Sequence, residues 1–155
     1  MKKTITIINS ILFAVSLSAQ ITPGQNNPDL KVKYDKVILG ISTWGEGDLQ
    51  DDWEDVWADF CNIDFNGKTV SLFGLGDQEG YADEFVDALG TLYEQVKDAG
   101  ADVVGFTSSE GYEHDASKAE IDGKFVGLVV DEDNQDELTQ ERIEQWIINI
   151  KTSIL

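Results

Sequence analysis

From Tyr34 to its carboxyl end the chain predicts an α/β fold, a mostly parallel sheet with helices on both faces. Short apolar runs rich in β-branched residues alternate with stretches whose apolar residues recur at helical spacing, the pattern of strands joined by crossover helices. Two stretches carry a second message. Ile38–Gln50 and Leu72–Tyr81 each begin as an apolar run and break into a loop with glycines, a carboxylate and one aromatic ring, Trp44 in the first and Tyr81 in the second. Loops held by a rigid sheet are where function concentrates, and two such rings suggest a slot for something flat.

At 155 residues the chain fits one domain, large enough to bury a core without staples. Its 30 Asp and Glu against 11 Lys and Arg leave a net charge of −19, which repels nucleic acid and anionic membranes. Charge alone leaves two readings open: docking to basic proteins or cations, and plain solubility. Cys61 stands alone, so no intramolecular disulfide forms, and no Cys/His cluster has zinc spacing.

Taken in order, residues 1–20 read as a secretory signal: Lys2 and Lys3, the mostly apolar run Ile5–Leu17, then the small residues Ser18 and Ala19. The run is too short for a comfortable membrane span. A buried strand at Thr4–Ile8 followed by a helix start is the competing reading. Residues 21–33 hold both prolines and the turn formers of a linker, which places the compact domain at 34–155. Lys36–Ile41 predicts a buried strand. In Asp51–Cys61, Trp53, Val56, Trp57 and Phe60 form a helical stripe, with Asp51 and Asp52 favourable at the amino end. Both tryptophans are read as core. Asn66-Gly67 turns the chain into a strand at Lys68–Phe73. Phe85, Ala88, Leu89, Leu92 and Val96 repeat with helical period up to a stop at Gly100. Asp102–Phe106 is a third strand, Thr107–Asp122 a polar, turn-rich insertion, and Lys124–Val130 a fourth strand. Ile143, Trp146, Ile147 and Ile150 mark a closing helix.

Ile-Leu-Gly-Ile-Ser-Thr-Trp at 38–44, Leu-Gln-Asp-Asp-Trp at 49–53, Asp-Phe-Asn-Gly-Lys at 64–68 and Gly-Leu-Gly-Asp-Gln-Glu-Gly-Tyr at 74–81 follow one another along the chain. After them come Asp-Ala-Leu-Gly at 87–90, Gly-Lys-Phe-Val-Gly-Leu at 123–128 and Asp-Glu-Asp-Asn-Gln at 131–135. In that order the segments resemble the long-chain flavodoxins, from about Tyr34 to the carboxyl end. The resemblance implies a flavodoxin-like sheet of order 2-1-3-4-5 and an FMN-dependent, low-potential electron-transfer protein with its flavin between the two loops. Flavodoxins are among the cases from which the rule of binding at a sheet's switch point was drawn.

By position, the resemblance implies that Thr43, Trp44, Gly45, Glu46 and Gly47 flank one face and edge of the isoalloxazine, with Trp44 stacking. It implies likewise that Leu75, Gly76 and Asp77 line the other loop and that Tyr81 stacks on the opposite face. Each aromatic contact adds about 0.5–1.5 kcal/mol beyond burial. The family also turns the peptide at the position of Gly45-Glu46 toward the flavin's N5, a flip that a glycine makes sterically cheap. Acidic surroundings are expected to oppose negative charge on the ring and so lower its potential. The same resemblance implies redox partner proteins with basic docking surfaces and a cytoplasmic location. A working signal at 1–20 would instead export the chain.

One part of the family pattern has no match. Family members cradle the FMN phosphate in a Thr/Ser-rich, Gly-containing loop at a helix start, where backbone N–H groups suit a dianion. The first glycine here is Gly24, in the linker, and the segment ahead of Tyr34 is too short for the family's first two strand–helix units. The expectation is a fold lacking those units, with a bare outer edge on the 36–41 strand. FMN is then expected to bind weakly or not at all, because each charge-assisted hydrogen bond lost removes about 1.5–3 kcal/mol. A start displaced from the phosphate loop, an exported derivative without flavin, and a makeshift first strand at Thr4–Ile8 all fit that gap.

Asp131–Gln135 opens like a calcium loop, but Asp136 stands where its Gly is needed and Arg142 where its Glu would be. A solvated acidic turn is expected there, with His114 on the surface and Cys61 in the core. No nucleophile–base constellation is visible, so the chain reads as an electron carrier and not an enzyme. The alternative, from another class, is an exported acidic interaction module on a truncated scaffold without flavin.

Overall fold

Along β1 (Lys36–Trp44), Val37, Leu39 and Ile41 face one apolar cluster and Ile38 faces a second, the two-residue alternation of a strand buried on both sides. The computed structural model describes residues 34–154; the signal-like segment, the linker and the makeshift strand lie outside them. β1 folds back at its end into the short antiparallel β2 (Asp48–Leu49). On its other edge it pairs in parallel with β3 (Thr69–Leu75), from Lys36 opposite Thr69 to Ser42 opposite Leu75. β3 is the hub of the sheet. Its first half pairs with β4 (Asp102–Val104) and its second half with β8 (Leu128–Val130), both in parallel.

The helices cover both faces, as expected. Trp53, Val56 and Phe60 of α1 (Asp51–Phe60) and Leu89, Leu92 and Val96 of α2 (Asp87–Asp98) pack with Val37, Leu39, Ile41, Val70 and Leu72. Burying each such side chain contributes about 1.5–3 kcal/mol, which is what makes a helix out of an acidic stretch like 51–60. On the opposite face, Ile143, Trp146, Ile150 and Ile154 of α3 (Thr139–Ile154) meet Ile38, Leu128 and Val130. No helix among the described residues is long and apolar enough to cross a membrane.

Four expectations need correction. The 124–130 strand is two strands: β7 (Lys124–Phe125) joins β5 (Thr107–Ser108) and β6 (Glu120–Ile121) in a separate antiparallel sheet, while β8 belongs to the main one. The helix expected from Phe85 begins at Asp87, because Val86 has a left-handed φ of +51°. Cys61 is exposed, since it lies one residue, about 100° of helical turn, past the buried stripe ending at Phe60. The outer edge of β1 is not bare along its whole length. The Trp53 indole N–H donates to the Gly40 carbonyl (3.0 Å), and the Ser42 N–H donates to Gln50 Oε1 (2.9 Å), so Trp53 caps a strand edge as well as filling the core.

Candidate functional site

The carboxyl ends of β1 and β3 frame the mouth of a cavity of ≈ 1110 Å³ that continues down the α3 face of the sheet, over Ile38, Phe73 and Leu128. Of the residues singled out from the sequence, Thr43, Trp44, Gly45, Leu75, Gly76, Asp77 and Tyr81 line it, whereas Glu46 and Gly47 are not on its wall. The cavity thus brings both loops together. Trp44 and Tyr81 remain 50% and 46% exposed at the mouth, and large rings left open there are suited to covering by a planar ligand.

Each loop is held by identifiable bonds. The Thr43 hydroxyl accepts the Ala88 N–H (3.1 Å), one of the orphan donors in the first turn of α2, and so ties the end of β1 to that helix. Gly45 follows with φ +50°, in the region that favours glycine. In the second loop Asp77 Oδ1 accepts the N–H groups of Glu79 (3.1 Å) and Gly80 (2.7 Å) and one from the Asn134 amide (2.8 Å). The Gly80 bond, then that from Asn134, holds the Asp77 carboxyl below the usual carboxylate range. The Tyr81 N–H donates to the Asp77 main-chain carbonyl (3.0 Å), so Asp77 organises the loop through both its backbone and its side chain.

Sequence reasoning missed part of the wall. Asp131 is fully buried and accepts N–H groups from Gln78 (3.1 Å), Asp133 (3.2 Å) and Asn134 (3.0 Å). The 131–135 segment is thus a turn with Glu132 and Asp133 exposed, as expected, but it is built on the buried Asp131, which clasps the 75–81 loop. An Asp followed three residues later by Asn was the available signal, since such side chains bond their own loop. Phe85 and Val86 also line the cavity, and only the fold places them there. His114 needs correction too. Its imidazole is 8% exposed, 2.8 Å from Glu120 and packed against Phe85 and Phe125, because the insertion has an aromatic interior that its polar sequence hides.

Residues 18–146 match a family profile described as Flavodoxin. The chain belongs to the flavodoxin family. A flavodoxin from Picosynechococcus sp. is 52% identical over 118 residues, which are 76% of this chain and 69% of that protein. Flavodoxin 1 of Escherichia coli is 49% identical over 122 residues, 78% of this chain and 69% of that one. The crystal structure of Fusobacterium nucleatum flavodoxin, solved bound to flavin mononucleotide, has 34% sequence identity and a TM-score of 0.80 over 100% of this chain and 93% of that one. The resemblance and the flavodoxin-like fold read from the sequence thus both hold. A module without flavin finds no support in these relatives.

The chemistry of the wall separates two halves of an FMN molecule. Apolar sheet residues and two half-open rings suit the isoalloxazine of a flavodoxin. Asp77, Glu84, Glu132 and Asp133 supply carboxylates, and no Lys, Arg or His is among the described residues that line the cavity. The ring fits here; a grip on the phosphate is not provided by the described residues. Among them, no group of three or more His, Cys, Asp or Glu is placed to hold a metal ion.

Proposed function

We propose that this member of the flavodoxin family is an FMN-dependent, low-potential electron-transfer protein that holds its flavin mainly by the ring. The cavity mouth bounded by half-exposed Trp44 and Tyr81 carries this reading. FMN supplies the redox chemistry when bound. Trp44 and Tyr81 are assigned to its two faces, and the backbone at Gly45, Leu75 and Gly76 to its edge. Phe85 and Val86, fully buried beneath the mouth, exclude water from below. No side chain is needed as a proton donor or acceptor. Asp77, Glu84, Glu132 and Asp133 oppose negative charge in the cavity, which favours a low potential. The exposed carboxylates Glu132 and Asp133 at the rim suit a redox partner with a basic docking face, an encounter steered by charge and weakened by salt.

The test is titration with FMN and with riboflavin, which lacks the phosphate, following quenching of flavin fluorescence. Both are expected to bind, with dissociation constants within about tenfold of each other, a difference under about 1.4 kcal/mol. Trp44→Ala should weaken both alike. If neither flavin is quenched, the carrier reading fails. A preference for FMN of about a thousandfold would instead show a phosphate grip and remove the ring-dominated part of the proposal.

A further inference from the structure

We propose that Asn134 is a positioning residue: its side-chain amide locks the Asp77–Tyr81 loop, and with it the Tyr81 ring, in the conformation that lines the cavity. The proposal rests on reading that cavity as a flavin site. Asn134 Nδ2 lies 2.8 Å from Asp77 Oδ1, 3.1 Å from Asp131 Oδ1 and 2.9 Å from Asp131 Oδ2. A primary amide carries two hydrogens on one uncharged nitrogen. One serves Asp77 and the other is shared by the two oxygens of Asp131. Two carboxylates are thereby joined across a single neutral atom.

The surroundings make this amide hard to replace. Asp131 is fully buried and has no salt bridge among the described residues, so its charge is held by N–H donors from Gln78, Asp133 and Asn134. Asp77 takes its other two bonds from Glu79 and Gly80 within its own loop. That loop is wrapped so closely that a Cβ on Gly80 would lie 2.3 Å from Asp77 Oδ2. The bonds from Gln78 N–H to Asp131 and from Glu113 N–H to Gln78 Oε1 (2.6 Å) hold the base of the loop. The Tyr81 N–H donates to the Asp77 carbonyl (3.0 Å), and just past Tyr81 the Ala82 carbonyl accepts the N–H groups of Asp115 (2.9 Å) and Ala116 (3.0 Å). At the tip, Glu79 and Gly80 are anchored through the Asp77 carboxylate and Tyr81 through the Asp77 carbonyl, and Asn134 is what fixes that carboxylate to the neighbouring loop. The charged groups around it are Asp77, Asp131 and Asp133. The cation Arg142 reaches the 131–135 segment through Gln135 Oε1 (2.6 Å).

Asn134→Asp keeps the shape but turns the donor nitrogen into an acceptor, placing a third carboxylate between two others. Protonating the cluster restores one donor. Asn134→Ala removes the amide, and Asn149→Asp, on the exposed side of α3, adds the same charge elsewhere. Two measurements decide. In flavin-free protein, amide hydrogen exchange at Glu79, Gly80 and Tyr81 should quicken about tenfold or more in both Asn134 variants, with α2 and α3 amides and the Asn149→Asp control unchanged. With riboflavin as probe, affinity should fall about tenfold in both. In Asn134→Asp alone it should recover as pH falls through the carboxylate range. Unchanged exchange at 79–81, exchange that quickens equally everywhere, or quickened exchange with undiminished riboflavin affinity would each overturn the proposal. If the unaltered protein binds no flavin, the carrier reading fails, while the exchange measurement still decides whether Asn134 fixes the loop.

Discussion

A Cβ added to Gly127 would lie 2.2 Å from the Leu72 carbonyl oxygen and 2.7 Å from the carbonyl carbon. Those are backbone atoms of β3, the hub strand, so relief requires moving the sheet itself. Gly123 presents the opposite case: nothing lies within 4 Å of its Cβ position, and only its φ of +73° resists a side chain. Gly127→Ala should therefore cost about 3 kcal/mol or more, and Gly123→Ala only about 1 kcal/mol. Urea unfolding midpoints check this, and equal shifts for the two would refute the ranking. Single residues were also where the sequence was least legible. His114 and Asp131 are polar residues whose burial depends on partners distant in the chain, Phe85 for the first and Gln78 for the second. Composition cannot show such partners.

The insertion illustrates the same limit at the level of elements. Its polar, turn-rich character was readable, but β5, β6 and β7 are two residues each, too short to show a period. What fastens it to the sheet is Tyr112, whose hydroxyl donates to the Val129 carbonyl (2.7 Å) under the Arg142 guanidinium, 4.1 Å from the ring centre. Burial pushes the Tyr112 phenol up to about 12; Arg142 pulls it down and Asp131 adds to the rise. The unfolded chain releases this proton near the ordinary value of 10.0, while the folded one keeps it. The stabilisation is thus complete below the ordinary value and is lost as pH rises toward about 12. Tyr112→Phe should lower stability at neutral pH by about 1–2 kcal/mol, since a buried carbonyl loses a donor. It should also flatten the alkaline decline. Melting curves from neutral pH upward compare the two, and an identical alkaline slope in the variant would contradict the assignment.

For the molecule as a whole, the alternation of strands and helices and the paired Gly-rich loops were legible because each is a local pattern. The rest of the cavity wall was not, since residues 84–86 and 132–133 reach it only through the fold. Charge connects that wall to the rest of the chain. A protein of net charge −19, whose cavity is lined by four carboxylates and no cation among the described residues, repels a phosphate dianion before any contact forms. Salt screens this repulsion: the Debye length falls from about 30 Å at 0.01 M to about 10 Å at 0.1 M. FMN should consequently bind more tightly as salt is raised over that range, while riboflavin, which has no charge to screen, should bind with nearly constant affinity. A basic phosphate site would produce the reverse, because its attraction is the term that salt weakens. Parallel titrations of the two flavins at several salt concentrations separate these cases, and FMN affinity that falls with salt would show that cationic or N–H-rich residues outside 34–154 dominate the binding.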